Sequence, residues 1–303
     1  MFSPSSLSMH PLIDGDILKY EIGFSGEIKD EDGNRQTFDF DKVAELLDRK
    51  IELICDEVGA TTAPTIFLTG DSYLFEKHLK KLSSESTYTP NFREELAITK
   101  GYKANRKQEK PFHYYNITEY MLAIHNCVIA EGMEADDLMC IWQMYNLRGL
   151  DPINSPQTII CSRDKDLRQC PGWHYSWECG RQPSIGPIEV DEIGTLERQS
   201  PTKIFGTGLK LFYYQVLVGD AVDNIPGLKG YGPAKCVALL GDLTTEQEMW
   251  DCVVNEYKQH VGEDWKTLLK EQINLVWMCQ EMDEQGAPIL FNPKKRGLLS
   301  GTP

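Results

Sequence analysis

Three carboxylates crowd four consecutive positions in Glu134-Ala135-Asp136-Asp137, at the point where an apolar stretch begins. Leu138, Met139, Ile141, Trp142 and Tyr145 follow at helical spacing, which puts the acids in a first helical turn. Glu134 and Asp137 then share a face, with Asp136 beside it. One or two acids at such a place complement the helix dipole, each worth about 0.3–1 kcal/mol. Three that converge repel one another and raise one another's pKa unless a cation joins them, so the spacing points to a hard metal ion held by oxygen.

The same signal recurs where other strands should end or helices begin. Asp14 and Asp16 follow Leu12-Ile13, Asp71 follows Thr65 to Leu68, Asp164 and Asp166 follow Thr158 to Cys161, and Asp220 and Asp223 follow the apolar run Leu211 to Val218. In a parallel α/β sheet the carboxyl ends of the strands open on one edge, so acids from distant parts of the chain meet there.

The elements that must position these groups are those of an α/β protein. Pro11 to Ile13 and Thr65 to Leu68 read as buried strands, and Ile17 to Phe24 can open a helix. Asp32-Gly33-Asn34 marks a hairpin. Asp39 or Asp41 can cap a helix whose apolar face is Val43, Leu46, Leu47, Ile51, Ile54 and Val58, with Gly59 closing it. Together they form a right-handed parallel βαβ unit. Ser72 to Leu82 fits a helix and Ser83 to Asn91 a polar loop. Asn116 can cap a helix through Ile124, before the strand Cys127 to Ala130. Trp173 to Trp177 reads as a strand.

The chain has 303 residues, 41% of them hydrophobic, enough for a large core and a smaller appended domain. The start, Met1 to His10, lacks the features of a secretory signal, and no apolar run is long enough for a bilayer, so a cytoplasmic place and no membrane partner are expected. Nine cysteines without a C-x-x-C pair suit buried thiols in a reducing compartment. A net charge of −15 argues against a general nucleic-acid binder, but bound cations would offset the candidate ligands. A basic segment also stands out: Lys77, Lys80, Lys81, Arg93, Lys100, Lys103, Arg106, Lys107 and Lys110. Its part around Tyr102-Lys103-Ala104-Asn105-Arg106-Lys107 reads either as a solvated loop or as a phosphate- and base-contacting loop over the acidic crevice.

From Gly219 to Lys235 an apolar helix ends in two acids, a Gly/Pro turn follows, and Pro233 starts another helix. Gly230-Tyr231-Gly232 lets backbone amides approach a phosphate closely, at the positive end of the new helix.

With Asp14-Gly15-Asp16, Thr69-Gly70-Asp71, Tyr102 to Arg106, Glu134 to Asp137, Asp164-Lys165-Asp166 and Gly219 to Lys235 in this order, the chain resembles the flap endonuclease and 5'-nuclease superfamily. The likeness is to the phage 5' to 3' exonucleases and the 5'-nuclease domain of bacterial DNA polymerase I, over roughly residues 11–245. It implies a PIN-like fold: a central, mostly parallel sheet with flanking helices, a helical arch at about 72–115, and a helix-three-turn-helix subdomain. The catalytic domain would be 11–200, that subdomain 201–245, and C-terminal helices and tail 246–303. Trp250, Val253, Val254 and Tyr257, then Trp265, Leu268, Leu269, Ile273, Val276 and Trp277, suggest two amphipathic helices packed on the main domain.

The resemblance also implies roles. Asp14, Asp71, Glu134, Asp136 and Asp137 would hold one Mg2+, and Asp164, Asp166, Asp220 and Asp223 a second, with Mn2+ as a substitute and K+ at the helix-three-turn-helix. Lys103 and Arg106, with Asp136, form the implied catalytic set. Tyr102, Lys103, Arg106, Lys107, Gly230, Gly232 and Lys235 would contact DNA. The implied activity is 5' to 3' exonuclease or structure-specific flap endonuclease cleavage of duplex ends, flaps and gaps, by a monomer, with RNA primers in hybrid duplexes as a further substrate and phage replication or recombination as the setting. Two readings stand beside it: a non-catalytic DNA-end-binding factor on the same fold, and a PIN-like ribonuclease, which lacks the Gly219 to Lys235 segment. Two departures from the family pattern are the 32 residues from Asp71 to Lys103, which imply an extra arch segment near Ser83 to Lys100, and Cys236 after Lys235, where a basic residue is common.

Overall fold

Six strands in the order β5-β4-β1-β6-β7-β8 make the central sheet of the computed structural model, and the pairs β5/β4, β4/β1, β1/β6 and β6/β7 are all parallel. The structure describes residues 8–80, 87–107, 109–149 and 157–298; Lys81, Leu82 and Ser83 lie outside them. In chain order the elements are β1 (Met9–Asp14), α1 (Gly15–Ser25), the hairpin β2 (Glu27–Lys29) and β3 (Arg35–Thr37), α2 (Phe40–Val58), β4 (Thr65–Thr69), α3 (Ser72–Leu74) and a π-helical turn, Phe75–Leu79. Next come α4 (Phe92–Leu96), α5 (Tyr114–Ile124), β5 (Cys127–Ala130), α6 (Ala135–Leu147) and β6 (Gln157–Cys161). A 3₁₀ turn (Asp166–Gln169) leads to β7 (Gly172–Ser176), β8 (Ile185–Val190), β9 (Leu196–Arg198), β10 (Ile204–Gly206) and α7 (Gly208–Val218). Then follow α8 (Pro233–Leu240), α9 (Glu246–Val261) and α10 (Trp265–Val276).

Two compact units result. Of the described residues, the first comprises 8–80, 87–89, 109–149, 157–165 and 172–189, and the second 90–107, 166–171 and 190–298. In the first, Ile13, Ile66, Leu68 and Ile159 of the sheet pack with Leu18 and Ile22 of α1 and with Val43, Leu47, Ile51, Ile54 and Val58 of α2. The α2 residues recur every three or four positions, one face of a helix, and each buried aliphatic side chain contributes about 1.5–3 kcal/mol. Gly59 closes α2 in the left-handed region at φ 64. The helix expected from Asn116 instead begins at Tyr114, with His113 as its N-cap. The His113 ring is fixed against the Phe38 carbonyl 3.0 Å away and stacks edgewise on Phe112, which places the start of the helix one turn earlier.

In the second unit α7 is apolar nearly all round, with Leu209, Leu211, Phe212, Tyr213, Val216 and Leu217 buried. A helix of that kind must be surrounded, and α8, α9 and α10 all pack on or around it. Tyr257 of α9 donates to the Val216 carbonyl at 2.6 Å. The C-terminal helices thus complete this unit, and residues 90–107 also belong to it.

Candidate active site

In the first unit the acids close consecutive strands. Asp14 ends β1, Asp71 follows β4 by two residues, Glu134 follows β5 by four, and Asp164 follows β6 by three. These strands are neighbours, and at about 4.8 Å per strand their ends span about 15 Å of the sheet edge. Asp14 is 2% exposed. Its Oδ1 accepts from the Ile17 amide at 3.1 Å and its Oδ2 from the Ser162 hydroxyl at 2.7 Å. Burial, and then the nearby Asp16 charge, push its pKa up to about 6 against those hydrogen bonds.

Asp71 caps α3, accepting from the Leu74 amide at 2.9 Å. Glu134 is the N-cap of α6, and its amide donates to Asp137 Oδ2 at 3.3 Å in a capping-box arrangement. Asp137 is fully buried and Asp136 half-buried. The Ala135 amide donates to Thr69 Oγ1 at 2.8 Å, which ties the start of α6 to the end of β4. Asp16 has a structural position: Oδ2 accepts from the Thr69 amide at 3.0 Å and Oδ1 pairs with the buried Lys19 Nζ at 2.6 Å. Burial alone would lower the Lys19 pKa, but Asp16 and Tyr114 overcome it and raise it.

Ser162 escaped the sequence reading. Besides donating to Asp14 it accepts from the Asp164 amide at 2.9 Å, so one hydroxyl links the ends of β1 and β6. A small polar residue directly after an apolar strand was the available signal.

The second unit gathers another group. Asp166 Oδ1 accepts from Gln215 Nε2 at 2.7 Å; Gln215 is a lone buried amide in the otherwise apolar α7. At the end of α7 the chain turns sharply because Gly219 and Gly227 abut: a Cβ on Gly219, at φ 75, would lie 2.3 Å from the Ile225 carbonyl oxygen. The turn presents Asp220, whose Oδ1 accepts from the Val222 amide at 2.8 Å, and Asp223.

Asp223 meets three of the expected DNA-contacting side chains. Arg106 Nη2 lies 2.5 Å from its Oδ1, the Tyr102 hydroxyl donates to Oδ2 at 3.2 Å, and Lys103 Nζ is 3.7 Å from Oδ2. Lys103 is held in the left-handed region at φ 53, its amide donating to the Asp223 carbonyl at 3.0 Å. A non-glycine residue there costs on the order of 1–3 kcal/mol and persists only where its surroundings demand it. Lys107 is exposed. Gly230, at φ 85, and Gly232 have open space around their Cα atoms, and Pro233 begins α8. Lys235 Nζ stands 3.5 Å over the Tyr231 ring and 3.7 Å from Glu256 Oε2.

All nine expected ligands offer oxygen only, the donor chemistry of a hard divalent cation. Among the described residues, however, no three His, Cys, Asp or Glu side chains are drawn together as a ready-made cage. Local amides and hydroxyls take one or two of the roughly four acceptor sites on each of Asp14, Asp71 and Asp137.

Curated relatives match about half of this sequence. The chain is 31% identical over 153 residues to DNA polymerase I of Rhizobium leguminosarum, covering 48% of this chain and 14% of that one. It is 30% identical over 157 residues to a 5'-3' exonuclease of Aquifex aeolicus, covering 50% of this chain and 47% of that one. Among solved structures, the T5 D15 protein co-crystallised with metal ions has a TM-score of 0.53 at 15% identity, over 89% of each chain. The chain resembles the 5'-nuclease superfamily in sequence and in fold. No protein-family model matches it. This 5'-nuclease-like chain spans about half or less of the length of the curated relatives named. Among its described residues no helix is long and apolar enough to cross a membrane.

Proposed function

We propose that the chain is a divalent-metal-dependent nuclease that hydrolyses phosphodiester bonds at 5' ends and 5' flaps of DNA. The observation that carries this reading is the run of carboxylates closing four adjacent strands: Asp14, Asp71, the Glu134–Asp137 group and Asp164. The exonuclease relative and the metal-bearing T5 D15 protein support it.

In this reading Asp14, Asp71, Glu134, Asp136 and Asp137 would hold one Mg2+, and Asp164, Asp166, Asp220 and Asp223 a second. Mn2+ would substitute for Mg2+, and K+ would sit at the turn before α8. The chemistry such a pair would supply when bound is activation of water and compensation of charge on the leaving oxygen. The chain's own part is positioning and charge. Lys103 and Arg106 offset the charge growing on the scissile phosphate, and Tyr102 stacks on a base. Lys107, Gly230, Gly232 and Lys235 hold the phosphate backbone without reading sequence. The same proposal includes RNA primers in hybrid duplexes as a substrate, a monomer at work in the cytoplasm, and phage replication or recombination as the setting.

The test is product release from a 5'-labelled flap duplex and a blunt duplex, with Mg2+ and with EDTA, beside Asp136→Asn. Metal-dependent cleavage that Asp136→Asn abolishes is expected. Binding without cleavage in any divalent metal would replace the nuclease by a DNA-end-binding factor.

A further inference from the structure

The segment 90–107, which carries Lys103 and Arg106, has almost no core of its own. Its helix α4 is five residues long, far below the length at which a helix holds itself in water. Ile98 is 76% exposed, so apolar burial does not fix this stretch either.

Two buried charges fix it instead. Arg93 is fully buried; its Nε donates to the Leu275 carbonyl at 3.0 Å and its Nη2 to the Trp277 carbonyl at 2.6 Å. Those carbonyls lie at the negative end of α10, where a guanidinium suits both the open acceptors and the dipole. Glu271 of α10 is 6% exposed and accepts from the Ile98 amide at 2.7 Å, the Thr99 amide at 2.6 Å and the Thr99 hydroxyl at 2.5 Å.

From Thr99 only four residues lead to Lys103, a reach of at most about 14 Å. At the far side the loop is tied again: Asn224 Nδ2 donates to the Gly101 carbonyl at 2.9 Å and Asn105 Nδ2 to the Ala221 carbonyl at 3.0 Å. Burying a charge is expensive unless its hydrogen bonds are met, and both charges here make hydrogen bonds that join this loop to α10 and its C-terminal end.

We propose that Glu271 and Arg93 are positioning residues: α10 fixes the loop that sets Lys103 and Arg106 against Asp223. This rests on the nuclease reading and deepens it, since α10 lies outside residues 11–245, where the family resemblance ends. A displacement of about 1 Å at a catalytic cation costs on the order of a hundredfold in rate, so loosening the loop should show in kcat rather than in KM.

The experiment pairs steady-state cleavage of a 5'-labelled flap duplex with amide hydrogen exchange of the metal-free protein. Glu271→Ala should lower kcat ten- to a hundredfold, change KM less than about threefold, and speed exchange at Ile98, Thr99 and Lys103. Glu271→Gln keeps an oxygen for the two amides and should stay within about threefold of the wild type. Thr99→Val, which removes only the hydroxyl, should fall between them and guards against a misfolded alanine variant. Wild-type kcat in a well-folded Glu271→Ala, equal losses in the Ala and Gln variants, or unchanged exchange at Thr99 and Lys103 would each overturn the inference. A wild type that cleaves nothing while Glu271→Ala still loosens the loop would sink the nuclease reading and leave the anchor standing.

Discussion

Arg106 Nη2 lies 2.5 Å from Asp223 Oδ1, so a side chain expected to face phosphate is paired with one expected to face metal. Arg106 is 43% exposed, and a pair that open to solvent contributes little to stability, about 0–1 kcal/mol. Its worth must lie in where it holds the guanidinium. Arg106→Ala should therefore shift the urea midpoint only slightly while lowering the cleavage rate tenfold or more. A large loss of stability with unchanged turnover would mean that the pair serves the fold.

Lys103 makes a sharper case. Its left-handed backbone is kept by the hydrogen bond that its amide donates to the Asp223 carbonyl, which substitution of the side chain leaves in place. Lys103→Ala should lose on the order of a hundredfold in single-turnover cleavage, the scale of removing one preorganised electrostatic group. Lys103→Gly, which also relieves the strained φ, should be no less stable than Lys103→Ala. Retention of most turnover by both variants would remove Lys103 from the chemistry.

The two turn glycines separate fold from contact. Gly219→Ala would drive a Cβ to 2.3 Å from the Ile225 carbonyl oxygen at φ 75, and should destabilise the second unit by several kcal/mol. Gly230→Ala meets nothing within 4 Å, so its cost is the left-handed backbone alone, about 1–2 kcal/mol. If Gly230 lets a phosphate approach its amide, this variant should weaken duplex binding several-fold at low salt. Equilibrium unfolding beside fluorescence anisotropy decides both points.

The sequence-based reading and the structure meet most closely where the cause is local. Asp14 and Asp71 follow short apolar runs, the three acids open α6, and Pro233 begins α8, because strand ends and caps are set within a few residues. What escaped is held by distant partners. Residues 90–107 read as an arch continuous with 72–89, and in the structure Arg93 and Thr99 donate hydrogen bonds to α10, more than 170 positions later. Ser162 and Gln215 were passed over for the same reason: neither shows its partner, Asp14 or Asp166, in its own neighbourhood. The acids at the strand ends could be read from their spacing, but not the hydrogen bonds they accept.

Asp14 contributes one component of the pH behaviour of the metal-free protein. Its pKa in the fold, about 6, is above the ordinary 3.8, so the fold favours the protonated carboxyl. The contribution is fully present below pH 3.8 and is lost as pH rises through about 6, a swing on the order of 3 kcal/mol for a buried carboxyl. Urea midpoints of the metal-free wild type should therefore carry a term that falls between pH 4 and 7, and Asp14→Asn, which cannot ionise, should lack it. At the proposed metal site Mg2+ would act in the opposite direction, because a cation requires the ionised oxygen. Its stabilising effect on the wild type should be large at pH 7.5, shrink below pH 6, and be reduced in Asp14→Asn at every pH. Identical pH profiles of wild type and Asp14→Asn without metal would show that Asp14 stays ionised in the fold, and a Mg2+ effect that ignores both pH and the substitution would take this carboxylate out of the metal site.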